Sequence, residues 1–106
     1  MFKIGGIYYD SKMKRYIIPI KQIGQNYFGI SNINEKNNNH AINEILRQNL
    51  LLYNEQSFWW YKHEQLKAFT NGYLGQIDEN LLMKFETLCE KSTNYQLYMK
   101  KLYMKI

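Results

Sequence analysis

Three apolar runs stand within the first 33 residues, with gaps between them too short for anything but tight turns. A parallel strand pair needs a crossover of about a dozen residues or more, so runs this close can pair only as antiparallel hairpins. The runs are Ile4–Tyr9, Lys14–Lys21 and Tyr27–Ile33. Their connections carry Asp10-Ser11-Lys12 and Gly24-Gln25-Asn26, residues that favour turns. The expectation is a three-stranded meander over residues 4–33. Pro19 sits inside the second run and has no amide hydrogen, so it is expected at an edge, a bulge or a strand end.

The polar stretch from Asn34 to His40 cannot bury anything and reads as an exposed loop. Ile42, Ile45, Leu46 and Leu50 recur at helical spacing, which predicts a short helix from about Ala41. Leu50–Tyr53 fits a strand equally well. Phe58-Trp59-Trp60-Tyr61 predicts a strand, and Leu66–Phe69 a further one. Alternation puts Phe58 and Trp60 on one face and Trp59 and Tyr61 on the other, so one pair is expected in the core. The second pair is then exposed, or covered by the C-terminal helix or a second subunit.

Asp78 is placed as an N-cap, and Glu79 in the first turn suits the helix dipole. Leu81, Leu82, Phe85, Leu88 and Cys89 mark the buried face of a helix over about 79–91. Tyr95, Tyr98, Met99, Leu102 and Ile106 suit a basic helical tail over about 94–106. The fold class is therefore α+β: one domain over 1–106, with a small antiparallel barrel or strongly curved sheet over about 4–77 and helices packed on it.

Charge is concentrated at the two ends. Lys3, Lys12, Lys14, Arg15 and Lys21 against Asp10 give residues 1–30 a net +4. Lys91, Lys100, Lys101 and Lys105 give residues 91–106 another +4, while the middle is net −3. Such ends suit a phosphate backbone or an acidic protein partner, and equally serve as solubilising charge. The single cysteine, Cys89, allows no internal disulfide and argues against a cysteine-based metal site. No apolar run approaches a membrane span, so a cytoplasmic protein is expected. Valine is absent and Ile, Asn and Lys abound, as in chains from AT-rich bacteria, their phages or plasmids.

No Gly-rich phosphate loop or nucleophile elbow is present. His40 lies in the Asn-rich loop and reads as solvated. His63 follows the aromatic strand and is a candidate general acid or base, against the plainer reading of a turn histidine. The two histidines are too few for a metal site, and no cofactor is expected. Trp59 with Lys62 and Lys67 could stack bases beside phosphates, against the plainer use of the aromatics in a core or dimer contact. Lys14, Lys100 and Lys101 extend that candidate nucleic-acid set. Arg15 opens the second run, where a guanidinium would be rigidly mounted for bidentate phosphate contact.

Gly6-Ile7-Tyr8-Tyr9, Lys14-Arg15-Tyr16-Ile17-Ile18-Pro19-Ile20 and Tyr27-Phe28-Gly29-Ile30-Ser31-Asn32 together resemble the opening strands of the PemK/MazF-like toxins of bacterial toxin–antitoxin systems. Ser57–Trp60 with the segment to Phe69, and Tyr73-Leu74-Gly75 with Gln76–Leu81, are similar to the family's later strands and closing helix. The resemblance covers about residues 4–90. It implies an SH3-like β-barrel, a homodimer, and metal-independent cleavage of single-stranded RNA. It also implies an acidic antitoxin as partner, with Arg15 and Ser31 at the catalytic arginine and Thr/Ser positions. This chain departs from the family in having Tyr16 where the Arg-Pro pair has proline, serine for the commoner threonine, and a lysine-rich C-terminal extension.

Cleavage by a 2′-hydroxyl needs a proton acceptor, stabilisation of phosphoryl charge, and a proton for the leaving oxygen. Arg15 would supply charge stabilisation and Ser31 would position the phosphate. His63 or Lys14 would assist proton transfer. The rival class is a non-enzymatic phage or mobile-element binding protein that docks on a host protein or nucleic acid.

Overall fold

A computed structural model describes residues 2–34, 39–54 and 56–104, apart from the side chains of Asn39, Phe69 and Asn71. The expected loop at 35–38 and the end of the tail at 105–106, Ile106 included, lie outside the described residues. Five strands form one antiparallel sheet: β1 (Gly6–Asp10), β2 (Arg15–Ile23), β3 (Asn26–Asn34), β4 (Trp59–Lys62) and β5 (Thr70–Gln76). Their order is β4-β3-β2-β1-β5. The sheet is open, with β4 and β5 at its edges. The helices are α1 (Ile42–Gln48), α2 (His63–Phe69), α3 (Glu79–Glu90) and α4 (Thr93–Met104), with short 3₁₀ turns at Asn39–Ala41 and Leu50–Leu52.

The meander forms as the turn residues require. The Asp10 carboxylate accepts the amides of Lys12 and Met13 at 3.0 and 3.1 Å, closing the first hairpin. Lys14, the last residue of that turn, adopts a left-handed φ of 55°. Gly24, at φ 60°, opens the two-residue turn between Ile23 and Asn26, where primed hairpin turns demand positive φ. Pro19 lies in the central strand but at a bulge, where the β2–β3 register shifts between Pro19 and Lys21. Its carbonyl accepts the Gly5 amide at 2.7 Å. Opposite Pro19 stands Gly29, where an added Cβ would lie 2.5 Å from the Ile18 carbonyl oxygen. Only glycine fits there.

Both faces of the sheet are covered. On one, Ile7, Ile18, Ile20, Phe28 and Ile30 pack with Ile42 and Leu46 of α1 and Leu81, Phe85 and Cys89 of α3. On the other, Ile17 and Tyr27 pack with Leu66 of α2, flanked by Phe2, Ile4 and Tyr61. The final helix buries no residue fully. It is attached by Tyr95 and Tyr98, both edge-on to Phe28 at 5.4 Å, and by an Asn94 side-chain bond to the Phe58 carbonyl.

Three expectations are corrected. Leu66–Phe69 is helix: Gln65 Oε1 accepts the Lys62 amide at 2.9 Å, and Leu66 turns fully inward while Lys67 and Ala68 are exposed. The sheet's last strand is instead Thr70–Gln76. Leu50–Leu52 is a 3₁₀ turn that leaves Leu51 and Leu52 exposed, not a strand. The aromatic run alternates as expected, with Phe58 and Trp60 toward α3 and α4 and Tyr61 toward the Ile17–Tyr27 cluster, but neither pair is wholly core: Phe58 is buried, Trp59 and Trp60 are exposed, and Tyr61 is half-buried. Asp78 occupies the N-cap position of α3 without a capping bond. Its carboxylate pairs with Arg47 and its amide donates to Asn43 Oδ1 at 2.7 Å.

Burial pushes the Cys89 thiol up to about 12 and raises the Tyr53 phenol as well. Both stay neutral in the folded chain where their unfolded counterparts ionise. The unfolded state then binds fewer protons, so stability falls as pH rises from about 9 toward 12. Urea midpoints should decline across that window. Cys89 should resist alkylation until the chain is unfolded, and rapid labelling of the native protein near neutral pH would contradict the buried placement. Gly29→Ala should destabilise by about 2 kcal/mol or more, because backbone on both strands must separate. Thermal melts check it.

Candidate nucleic-acid interface

The edge strand β4 and the helix α4 enclose a cleft of about 420 Å³. Trp60 and Tyr98 form its aromatic wall, with ring centroids 5.8 Å apart at 45°. Lys62 and Lys101 stand at its rim, and Asn26 and Asn94 supply amides. Asn94, Tyr98 and Lys101 follow one another at helical spacing, so a single face of α4 presents amide, ring and cation in line. The Asn26 amide nitrogen donates to the Tyr98 hydroxyl at 2.8 Å, and that of Asn94 donates to the Phe58 carbonyl at 2.6 Å.

The surface continues past this cleft. Asn26 and Lys62 also line a second hollow with Gln25, His63 and Glu64. His63 in turn lines a third, with Phe2, Tyr8, Lys67, Thr70, Gly72 and Tyr73. The His63 amide donates to the Gln25 carbonyl at 2.9 Å, fixing the start of α2 against the β2–β3 turn. Its ring stands 5.3 Å from Phe2 and 6.1 Å from Tyr27. Lys3 lies over the Tyr73 ring at 5.6 Å. Shared lining residues thus join three hollows into one track bearing Trp60, Tyr98, His63, Tyr8 and Tyr73. Lys101, Lys62, Lys67 and Lys3 accompany them, and among the described residues Glu64 is the one acid lining it.

The lysines of the track differ from the ion-paired cations elsewhere. Lys21 bonds Glu90 at 2.7 Å, and this bond raises its pKa. Arg47 pairs with Asp78 and Glu44, and Arg15 with Asp10. Among the described residues, Lys62, Lys67 and Lys101 have no carboxylate within ion-pairing distance. Their charge remains available for an anion.

Arg15 and Ser31 lie on the α2 side of the sheet, on neighbouring strands with Ile17 between them. Arg15 Nε is 3.5 Å from Asp10 Oδ2, an ion-pair contact without hydrogen-bond geometry, and the side chain is 33% exposed against 1% for Asp10. Ser31 occupies a register shift between Tyr16 and Ile18 of the partner strand. Its hydroxyl accepts from the Tyr61 hydroxyl at 2.8 Å. His63 does not join this pair. It contacts Tyr27, which is about 13 Å along β3 from Ser31 at strand spacing.

The other expected residues separate. Lys67 and Lys62 line the track, as does Lys101, but Lys100 lies on the opposite side of α4 with Lys91, Met99 and Tyr103. Trp59 is 58% exposed and outside the cleft, whereas Trp60 lines it. Lys14 is exposed in the first hairpin turn, next to Arg15. Sequence reasoning missed Tyr98, Asn26, Asn94, Tyr8 and Tyr73. The spacing of Asn94, Tyr98 and Lys101 was a usable signal. The cross-chain meeting of Asn26 with Tyr98 had none. No family model, curated protein or solved structure matches the chain.

Asp10 holds the hairpin through two backbone amides and Arg15. Asp10→Ala should cost roughly 2 kcal/mol, since it leaves amides unpaired and a half-buried cation alone. Arg15→Ala should cost about 1 kcal/mol or less, because the pair is partly solvated. Denaturant titration of both variants checks the order; equal losses would show that Arg15 carries the site's stability.

Proposed function

We propose that the protein binds single-stranded RNA along the track from the Trp60–Tyr98 cleft past His63 to Tyr8 and Tyr73. The observation that carries this reading is the alternation of the exposed or half-buried rings of Trp60, Tyr98, His63 and Tyr73 with lysines that, among the described residues, no carboxylate neutralises. Rings stack successive bases whatever their sequence, and ammonium groups follow the backbone. An acidic protein segment, such as an antitoxin would offer, suits the same lysines.

A second reading adds cleavage. It is the metal-independent endoribonuclease activity that the PemK/MazF-like resemblance implies, with a homodimer as its assembly. Arg15 and Ser31 favour it: they share a face, and Thr70 at one end of the track pairs with Asp10, the partner of Arg15. Arg15 would stabilise the charge on the phosphoryl group, and the Ser31–Tyr61 hydroxyl pair would hold its oxygens. The connection from β4 to β5 supports the barrel-like curvature of that family. In a flat sheet the end of β4 and the start of β5 would lie more than about 30 Å apart, at about 4.8 Å per strand and 3.3 Å per residue. The helix that joins them is only about 10 Å long. Strong curling brings the edges within its reach.

Fluorescence anisotropy with a labelled single-stranded RNA in EDTA tests the first reading. Lys62→Ala and Lys101→Ala should each weaken binding of all sequences and lower the salt slope by about one. Absence of binding at low salt rejects it. Gel analysis of the same samples tests the second. Arg15→Ala should lower cleavage by about a hundredfold or more, and Arg15→Lys should rescue little. A wild-type protein that binds RNA but leaves it intact is a binding protein only.

A further inference from the structure

The cleft between β4 and α4 carries a polarity that stacking and charge alone do not require. Its amide groups are oriented. The Phe58 carbonyl can only accept, so the 2.6 Å bond from Asn94 Nδ2 fixes that side chain with its nitrogen consumed and its oxygen left over. The Tyr98 hydroxyl takes the Asn26 nitrogen at 2.8 Å. A hydroxyl serves either sense of an amide, so the orientation argument rests on Asn94. Among the described residues, the Asn94 oxygen has no protein donor. The wall beside the Trp60 and Tyr98 rings therefore presents a fixed acceptor, with Lys62 and Lys101 at the rim.

We infer that this cleft is a base-selective subsite, taking a nucleobase that bears an exocyclic amino group and discriminating against uracil. The inference rests on the RNA-binding reading above. A base lying against Trp60 and Tyr98 turns its edge toward Asn94. Cytosine and adenine offer an amino group there, and guanine offers one beside its ring N–H. Uracil carries a carbonyl where cytosine carries its amine, and its one edge donor, the ring N–H, is flanked on both sides by carbonyl oxygens that approach the Asn94 oxygen with it. A buried polar group left without a partner rejects a ligand more strongly than a missing apolar contact does. Lys62 and Lys101 grip the flanking phosphates and are indifferent to the base.

Cytosine and uracil make the decisive comparison, because they have the same ring size and differ only along that edge, cytosine with an amine beside a bare ring nitrogen and uracil with a carbonyl beside a ring N–H. The experiment measures binding of oligo(C), oligo(U), oligo(A) and an oligomer of purine riboside, which keeps the adenine ring and lacks the amine. Quenching of tryptophan fluorescence and anisotropy are read together. The wild type should bind oligo(C) about tenfold tighter than oligo(U), and oligo(A) tighter than the purine riboside oligomer by a similar factor. Asn94→Ala should bring oligo(C) to the level of oligo(U). Trp60→Ala should weaken every oligomer, by about fivefold to a hundredfold. The ligand-side comparisons need no variant, so they hold even if Asn94→Ala loosens α4. Equal binding of oligo(C) and oligo(U) by the wild type overturns the subsite while leaving RNA binding intact. Failure to bind any oligomer overturns the RNA reading itself.

Discussion

The strand β2 hides both of its faces, and the rest of the structure depends on that constraint. Residues 16–20 are all buried, with Ile17 facing one side and Ile18 and Ile20 the other. A sheet whose central strand is apolar on both sides needs a cover on each. The chain supplies α1 and α3 on one side. On the other, with little sequence to spare between β4 and β5, it supplies the single turn-rich helix α2 and the N-terminal Phe2 and Ile4. Two unequal layers result: a large aliphatic and aromatic core, and a thin one sealed largely by Ile17, Tyr27 and Leu66. The thin side is where polar groups come to the surface, so it is where Arg15, Ser31, Tyr61 and His63 are found.

How far the sequence disclosed this follows from the range of the interactions involved. The meander was legible because hairpins are local: Asp10, Gly24 and the short gaps determine their own turns. The helix over 79–90 was legible from the 3.6-residue spacing of Leu81, Phe85 and Cys89. Pro19 was expected at an edge, a bulge or a strand end because it lacks an amide hydrogen, and the bulge is the one of the three it takes. The segment 66–69 was misread because Leu66, Ala68 and Phe69 look apolar in sequence. Only the end of β4 and the Gln65–Lys62 bond decide that they coil. The open sheet was likewise beyond local reasoning, because strand closure is settled by how distant edges meet.

The residue types that gather at the cleft were legible, but not which of them meet there. Aromatic residues beside lysines stood out in the sequence, as a candidate surface for nucleic acid or as core and dimer contacts. Which of two adjacent tryptophans faces the cleft, and which of two adjacent lysines on α4 faces it, depended on how a helix with no deeply buried residue sits against an edge strand. Arg15 was picked out as a rigidly mounted guanidinium. The structure adds that its rigidity comes from Asp10, which also ties the hairpin turn. A charge so anchored is less free to follow a moving phosphate than one on a lysine stem.

The weak attachment of α4 bears on the energetics of whatever occupies its cleft. The helix contributes half of the cleft wall yet no fully buried residue, its Tyr95 and Tyr98 lying only partly buried against Phe28. Its detachment would uncover Phe28 and the rings of Tyr95 and Tyr98 but leave the contacts of α1 and α3 in place, so a partly undocked population lies closer in free energy than global unfolding does. Any ligand that spans Trp60 and Tyr98 must first find the helix docked, and its apparent affinity carries that fraction as a factor. Occupancy then holds the helix in place by mass action. Amide protons in residues 93–104 would thereby report occupancy of the cleft from a distance, with little change in the sheet.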